Sequence, residues 1–482
     1  MLNTKQVSEL KRKSVIGATS YFIRTALLQG LGLLAVLVLS AFFRPEDFGI
    51  YGFVTQIIGL LVFFSDIGLA ASLVQKKDEP SKTDYQTAFT LQQILSWLIV
   101  GIILVILSTG LVQSKVGDVG GWILLALGIS FPLATLKTIP SIILERKLDF
   151  NKLIIPQIFE QIVFQGLLIY LAFNGFGVIA YAYAILARSF IGVVVMFIIQ
   201  PWPIGLKISK NSIKSLLSFG VKFQLNDFLA RIKDQLFYLA LAFIMPLKEF
   251  GYLQWAKNWS MYPYNLTVQN VLAITFPTFS RLQEHKDLLK KAIDKSVFFI
   301  TLAIFPILIG MSVFIYPLTM VFEKYNKWQP AIFSFVLFTI SIAWAAVSTP
   351  MVNTLNAIGH INKTLKLMTF WTILTWVLTP ILYYKMGFNG VALAALLISF
   401  TSVIAIKLVK DLIDIDVWEN VWRQLISSLV MVSIGLIGMR FWIQSFQWLV
   451  AGGLITSTGY LLSMFILGKN KVIGEINSLR KI

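Results

Sequence analysis

Residues 91–107 read LQQILSWLIVGIILVIL, a run without a single charge that, wound as a helix, crosses most of a bilayer's hydrocarbon. With its flanks it forms an apolar stretch at 87–110. About thirteen more of the same kind lie along the chain, from roughly 15–43 to roughly 447–468. Over all 482 residues the chain is 57% hydrophobic and 13% charged, where a water-soluble chain carries about 25% charge. The pattern predicts an all-α polytopic membrane protein with about fourteen transmembrane helices. No connection is long enough for a soluble domain. The longest, 201–222, holds Pro201, Pro203 and four lysines.

The formal charge of +18 suggests nucleic acid until it is set against this topology. With the N-terminus inside, most of the 41 Lys and Arg fall on cytoplasmic segments. That asymmetry is an orientation signal, and it places both termini in the cytoplasm with no nucleic-acid partner expected. Met1–Ser14, with Lys5, Lys11, Arg12 and Lys13, is a polar lead-in to a span too long for a signal-peptide core, so no cleavage is expected. There is no cysteine, which excludes disulfides and thiolate metal sites. His285 and His360 both fall in predicted loops, so neither a histidine relay nor a metal centre is expected within the membrane.

An internal repeat organises the stretches. Glu46-Asp47-Phe48-Gly49-Ile50-Tyr51 recurs 202 residues later as Lys248-Glu249-Phe250-Gly251-Tyr252-Leu253. Asn151-Lys152 recurs as Asn362-Lys363, and Asn174-Gly175-Phe176-Gly177-Val178 is echoed by Gly387-Phe388-Asn389-Gly390-Val391. A period of six spans inserts both copies in the same direction, so their relating pseudo-two-fold runs along the membrane normal. The expected organisation is a six-helix lobe at 1–200, a cytoplasmic linker at 201–222 and a second six-helix lobe at 223–410. Two additional helices and a cytoplasmic tail follow at 411–482.

Nine ionisable side chains lie deep within the first eight stretches: Arg24, Asp66, Glu160, Arg188, Asp227, Arg231, Lys233, Asp234 and Lys257. A charge at the centre of a membrane helix costs a few kcal/mol, so it normally faces a protein interior or a watery pathway. In the seventh span, 223–245, Asp227, Arg231, Asp234 and Tyr238 are spaced four, three and four and share one helical face. In the eighth, 251–277, Gln254, Asn258, Tyr262, Asn265 and Gln269 do the same, with Lys257 beside them. Interhelical hydrogen bonding explains an occasional Asn or Gln, but it suits two complete stripes with charges poorly. Arg24, Asp66 and Arg231 each fall about nine or ten residues from a cytoplasmic span end, roughly 13–15 Å in. Snorkelling is the alternative for Arg24, and neutralising Arg24 is the alternative for Asp66. Lys137, nearer a span end, reads as snorkelling. Glu160, Arg188 and Lys233 are weaker pathway candidates.

Two motif matches carry nothing. Gly175-Phe176-Gly177-Val178-Ile179-Ala180 fits the dinucleotide pattern GxGxxA but joins two membrane helices instead of following a strand. Asp414-Ile415-Asp416 has the form of a metal-binding DxD, without a nucleotide-binding domain around it.

Arg44-Pro45-Glu46-Asp47-Phe48-Gly49, Phe64-Ser65-Asp66-Ile67-Gly68-Leu69-Ala70 and Leu73-Val74-Gln75 resemble the bacterial polysaccharide transporter family. This family belongs to the multidrug/oligosaccharidyl-lipid/polysaccharide exporter superfamily. Glu145-Arg146-Lys147-Leu148-Asp149-Phe150 and Phe276-Pro277-Thr278-Phe279-Ser280-Arg281-Leu282-Gln283 fit the same pattern, clearest over residues 1–290. Within the family the chain looks most like Wzx-type flippases of the colanic-acid and teichuronic-acid exporter branch.

The resemblance implies two lobes around a central cavity in the bacterial cytoplasmic membrane. It implies alternating access and, as cargo, an oligosaccharide on a polyprenyl diphosphate. Arg24, Arg231 and Lys257 then suit the diphosphate, because planar guanidinium forks bind paired oxygens, and Asn, Gln and Tyr groups suit sugar hydroxyls. An ion gradient, H+ or Na+, is the implied drive, with Asp66, Asp227 and Asp234 as coupling candidates. Membrane lipids, a glycan polymerase and glycosyltransferases of the same pathway are the implied partners. The uncharged last two spans could flank the lipid tail. The alternatives are a multidrug exporter of the same superfamily, which calls for a mainly acidic cavity, and a membrane glycan polymerase or ligase, which calls for a large external loop.

Overall fold

The computed structural model describes Thr25 and residues 27–479, except the side chains of Phe219, residues 221–234 and residues 476–479. Among the described residues every regular element is helical. They fall into two compact units, one up to Gly251 and one from Tyr252.

The first unit holds α1 (Leu27–Phe42), α2 (Pro45–Leu61), α3 (Leu69–Gln75), α4 (Lys82–Ser108), α5 (Leu111–Arg146), α6 (Phe150–Phe173), α7 (Ala180–Ile199) and α8 (Lys210–Ile244). α9 (Leu247–Arg281) begins at its edge. Local chemistry sets the helix starts. At α4 the Asp84 N–H donates to Ser81 Oγ (3.2 Å), and the Ser81 N–H donates back to Asp84 Oδ2 (2.9 Å). That is a reciprocal cap. At α2, Pro45 takes the first turn while the Arg44 N–H donates to Asp47 Oδ2 at 2.7 Å. Gly117, at φ +67°, breaks α5 just before the apolar stretch that the sequence marks as its span.

The second unit continues from α9 through α10 (Lys286–Val321), α11 (Ile332–Ala357), α12 (Ile361–Met386), α13 (Phe388–Phe400), α14 (Val403–Lys410), α15 (Val417–Ile437), α16 (Met439–Trp442) and α17 (Phe446–Leu479). Its centre is aromatic: the fully buried rings of Trp255 and Trp328 stack with centroids 4.9 Å apart. The two helices outside the repeat, α15 and α17, both pack on α10. Tyr460 on α17 donates its hydroxyl to the Leu302 carbonyl at 3.2 Å.

Eleven helical segments among the described residues are long and apolar enough to cross a membrane. The three remaining sequence-predicted spans fall on α1, on α8, whose described apolar part is Gln235–Ile244, and on the polar-striped α9. The most apolar window of α12 is only 11% buried. Its hydrophobic side chains point outward, an arrangement that needs an apolar solvent. Hydroxyls inside the spans fold back onto the carbonyl one turn earlier, as Ser96 does to Gln92 (2.7 Å) and Thr456 to Gly452 (2.8 Å).

One expected span differs. The stretch 49–74 is not one helix. α2 stops at Leu61, a 3-10 turn covers Val62–Phe64, Ile67 and Gly68 adopt positive φ (+49° and +74°), and α3 starts afresh at Leu69. Hydropathy does not register the change, because the residues either side stay apolar.

Each recurring motif occupies a matching place. Asn151-Lys152 and Asn362-Lys363 open α6 and α12, and the Gly-Val pairs sit at the α6–α7 and α12–α13 junctions. The Phe-Gly copies start α2 and α9 and meet each other by their backbones. A Cβ on Gly49 would overlap the Leu247 carbonyl oxygen, and one on Gly251 would overlap that of Pro45. Leu247 and Gly251 stand 202 residues after Pro45 and Gly49, so the contact is reciprocal. Gly251→Ala is therefore expected to cost about 1–3 kcal/mol through overpacking. Gly101→Ala, on α4 with nothing within 4 Å, should be neutral or stabilising by up to about 1 kcal/mol. Thermal unfolding of both variants in detergent checks this, and equal midpoints would refute the packing argument.

Candidate functional site

The break at 62–68 is held by side chains. Ser65 Oγ donates to the Val62 carbonyl at 2.7 Å. The Asp66 carboxylate accepts from the Ala70 N–H (3.2 and 3.3 Å) and from Gln92 Nε2 on α4. A carboxylate over the first turn of α3 satisfies an otherwise orphaned donor and is favoured by the helix dipole. Gly68 lies against Gly220, so α8 crosses the break backbone to backbone, where no side chain fits. At the other end of α3, the Arg146 guanidinium donates to the carbonyls of Leu73 (2.9 Å), Val74 (3.1 Å) and Lys76 (2.8 Å). Lys76 itself pairs with Asp84 at 2.7 Å. Asp66 is thus engaged in building the interrupted helix that carries it.

A second polar centre lies on α5, α6 and α7. Lys137 Nζ donates to Glu160 Oε1, with both side chains mostly buried (18% and 22% exposed). The expectation that Lys137 snorkels is corrected here: α5 runs on to Arg146, and the ammonium turns inward to a carboxylate instead of reaching for the helix end. Glu160 rests on Gly192 of α7, where a Cβ would collide with its carboxylate. One turn along both helices, the Arg188 guanidinium lies over the Phe164 ring, 4.9 Å from its centroid. Lys137, Glu160 and Arg188 stand nine, ten and eleven residues from the helix ends at Arg146, Phe150 and Ile199. At 1.5 Å per residue all three lie at a common depth of about 15 Å. Nearby, Tyr51 of α2 stacks on Tyr181 of α7 with centroids 3.7 Å apart.

In the second unit, α9 has two chemically distinct faces. Trp255, Trp259, Tyr264 and Val268 are buried in the unit's core. Lys257, Tyr262 and Asn265 are half-buried, while Asn258 and Gln269 are exposed. The four-three-four spacing of Asn258, Tyr262, Asn265 and Gln269 therefore becomes one accessible polar face. Gln254, by contrast, is buried. Amides, which both donate and accept, are the chemistry that suits a hydroxyl-rich ligand.

The remaining sequence candidates fall where less is described. Arg24 lies outside the described residues. Asp227, Arg231, Lys233 and Asp234 lie on α8, with their side chains outside the described set. The discounted motifs have structural roles: Gly175 and Gly177 supply positive φ in the α6–α7 turn, and Asp416 caps α15 by accepting from the Glu419 N–H at 3.1 Å. Sequence reading passed over Gln92, whose contact with Asp66 spans 26 residues. It also passed over the pairing of Lys137 with Glu160. Two opposite charges in neighbouring apolar stretches were the available signal.

A family model described as "Polysaccharide biosynthesis protein" matches residues 38–332. The chain is 26% identical over 414 residues to lipopolysaccharide biosynthesis protein WzxC of Escherichia coli (strain K12), covering 82% of this chain and 80% of that protein. It is 19% identical over 314 residues to the succinoglycan biosynthesis transport protein ExoT of Rhizobium meliloti (strain 1021), covering 64% and 61%. Among solved structures, the lipid II flippase MurJ in an inward closed conformation is similar with a TM-score of 0.70 at 16% identity, over 95% of this chain and 100% of that one. An inward-facing multidrug resistance transporter of the MATE family, in the MOP superfamily, follows with 0.62 at 15%, over 79% and 92%. These two likenesses concern the fold.

The Lys137–Glu160 pair makes a direct prediction. Lys137→Met alone leaves a buried carboxylate unpaired and should cost about 3 kcal/mol. Adding Glu160→Gln should recover all but about 1 kcal/mol of that loss. Thermal melts of the single and double variants measure the coupling, and strictly additive losses would show that the two groups do not interact.

Proposed function

The chain belongs to the polysaccharide biosynthesis protein family, and from that premise we propose that it moves a lipid-linked oligosaccharide across the cytoplasmic membrane. The observation that carries this reading is the accessible polar face of α9, with Asn258, Tyr262, Asn265 and Gln269 in line and Lys257 beside them. Among surfaces made mainly of exposed Leu, Ile and Phe, the exposed amides of Asn258 and Gln269 are costly unless they meet water or a polar cargo. Lys257 beside them is basic, the sign that suits an anionic diphosphate. The names of WzxC and ExoT, a biosynthesis and a transport protein of bacterial polysaccharides, point the same way.

In the proposed mechanism the chain works by alternating access, with lobes 1–200 and 223–410 as its moving parts. The linker 201–222 joins them, and 411–482 adds two helices. The termini lie in the cytoplasm, as the distribution of Lys and Arg suggests. Arg24, Arg231 and Lys257 bind the diphosphate, and the α9 face exchanges hydrogen bonds with the sugars. Asp227 and Asp234 are the carboxylates assigned to ion coupling. Asp66 positions the interrupted helix through Ala70 and Gln92. The protein acts without bond-breaking chemistry, and the pathway's polymerase and glycosyltransferases are its expected neighbours.

The test follows a fluorescent lipid-linked saccharide across the membrane of reconstituted vesicles. Each of Arg24→Ala, Arg231→Ala and Lys257→Ala removes a charge-assisted contact and should slow flipping by about tenfold or more. Undiminished flipping in all three would overturn the cationic site. Efflux of a cationic dye by the unmodified protein, with no saccharide movement, would favour the multidrug alternative.

A further inference from the structure

Residues 201–209, expected as a cytoplasmic linker, lie without helix across α4. The backbone N–H of Lys207 donates to Thr90 Oγ1 (3.1 Å) and that of Ser209 to Thr87 Oγ1 (3.3 Å). The aliphatic side chains of the segment are turned out. Ile204, Leu206 and Ile208 are 52%, 74% and 57% exposed. Trp202 is buried edge-on against Phe89, with ring centroids 5.2 Å apart. Ile204, Leu206 and Ile208 recur every second residue, the spacing that sets side chains on one face of an extended chain. A loop in bulk water has no need to present three large aliphatic side chains in register. A segment at the membrane interface does, because its apolar side chains meet acyl chains while backbone groups not held by Thr87 and Thr90 stay within reach of water. Thr90 stands eight residues from the start of α4, about 12 Å along the helix.

Beside this strap is a cleft of about 780 Å³, bounded by Ile94 and Trp97 of α4, Leu133 and Leu136 of α5, and Ile204 and Leu206. The volume is within the range of about 300–1,000 Å³ usual for bound small molecules. Its polar liners are already engaged. Thr90 donates to the Gln86 carbonyl (2.7 Å) while accepting from the strap. Gln93 Nε2 donates to Thr135 Oγ1 (2.6 Å) and the Pro132 carbonyl (3.1 Å). What remains on offer is hydrocarbon. The rim is basic: Lys207 donates its ammonium to Thr83 Oγ1 at 3.4 Å, next to exposed Lys82, and exposed Lys210 opens α8. Asp84, the carboxylate in that first turn of α4, is already paired with Lys76.

We propose that residues 201–209 form a strap seated at the membrane interface, and that the cleft beside it holds an acyl chain of an anionic phospholipid whose phosphate rests among Lys82, Lys207 and Lys210. The apolar cleft takes the chain, and the lysines supply the charge complement that selects the headgroup. The site is independent of the glycan reading, since it uses no residue assigned to the cargo.

Two measurements on the full-length protein test it. The chain has no cysteine, so Leu206→Cys provides a single attachment point for an environment-sensitive fluorophore in phosphatidylglycerol vesicles. Stronger quenching by acyl chains spin-labelled near the headgroup than by aqueous iodide is expected; the reverse would overturn the interfacial strap. Retention of phosphatidylglycerol against phosphatidylcholine is then read by native mass spectrometry of protein released from mixed vesicles. Phosphatidylglycerol should be preferred, and Lys82→Gln with Lys207→Gln should weaken its retention by about thirtyfold while phosphatidylcholine is unchanged. A Lys207→Met variant, which keeps the apolar stem, controls for folding and should show an intermediate loss. Equal retention of both lipids, or of phosphatidylglycerol by all variants, would overturn the headgroup site. Displacement of the bound phospholipid by an equimolar polyprenyl phosphate would overturn the assignment in favour of the cargo's own tail.

Discussion

A polar group placed in hydrocarbon has no water to fall back on, and this constraint organises the protein at every scale. Within single helices it turns hydroxyls back onto carbonyls, as in Ser96 and Thr456. Between helices it brings Lys137 to Glu160 and Gln92 to Asp66. At the ends of the short α3 it recruits a carboxylate to one terminus and a guanidinium to the other. The Lys137–Glu160 and Gln92–Asp66 contacts join side chains distant in sequence, so they also specify which helices are neighbours.

Close approach of backbones is the second consequence. Without a strong hydrophobic force between helices in lipid, association relies on packing, and packing improves where side chains vanish. Gly68 against Gly220, and Gly49 and Gly251 against the carbonyls of Leu247 and Pro45, are such places. The last two are equivalent positions of the internal repeat, which gives the recurring Phe-Gly motif a physical reason. The glycine of each copy is the surface on which the other copy's first helical turn rests.

Lys137 and Glu160 neutralise each other at a depth of about 15 Å and tie α5 to α6. The α9 face is built differently: its back is locked by Trp255 and Trp259 in the aromatic core, so its amides are held in line on a rigid support. A binding surface for a flexible, hydroxyl-rich cargo gains from that rigidity, because little order remains to be imposed on the protein when the cargo arrives.

The apolar runs and the four-three-four stripe of α9 were legible in the sequence, because length and periodicity are local properties that a helix carries with it. The repeat was legible for the same reason, since a helix start such as Pro45-Glu46-Asp47-Phe48-Gly49 encodes its own cap. The interruption at Ile67 and Gly68 was not, because hydropathy measures burial and not backbone angle. Lys137 was misread because the choice between reaching for the membrane surface and turning inward depends on what stands across from it. That partner, Glu160, lies on another helix 23 residues away. The contacts of residues 201–209 were not legible either: two prolines and a lysine look like a loop, and only the hydroxyls of Thr87 and Thr90 show where the N–H groups of Lys207 and Ser209 go. The sequence by itself determined which segments are long and apolar enough to cross the membrane, and the polar stripe that α9 presents. The tertiary structure alone decided how the buried polar groups are paired, because pairing is a relation between distant residues.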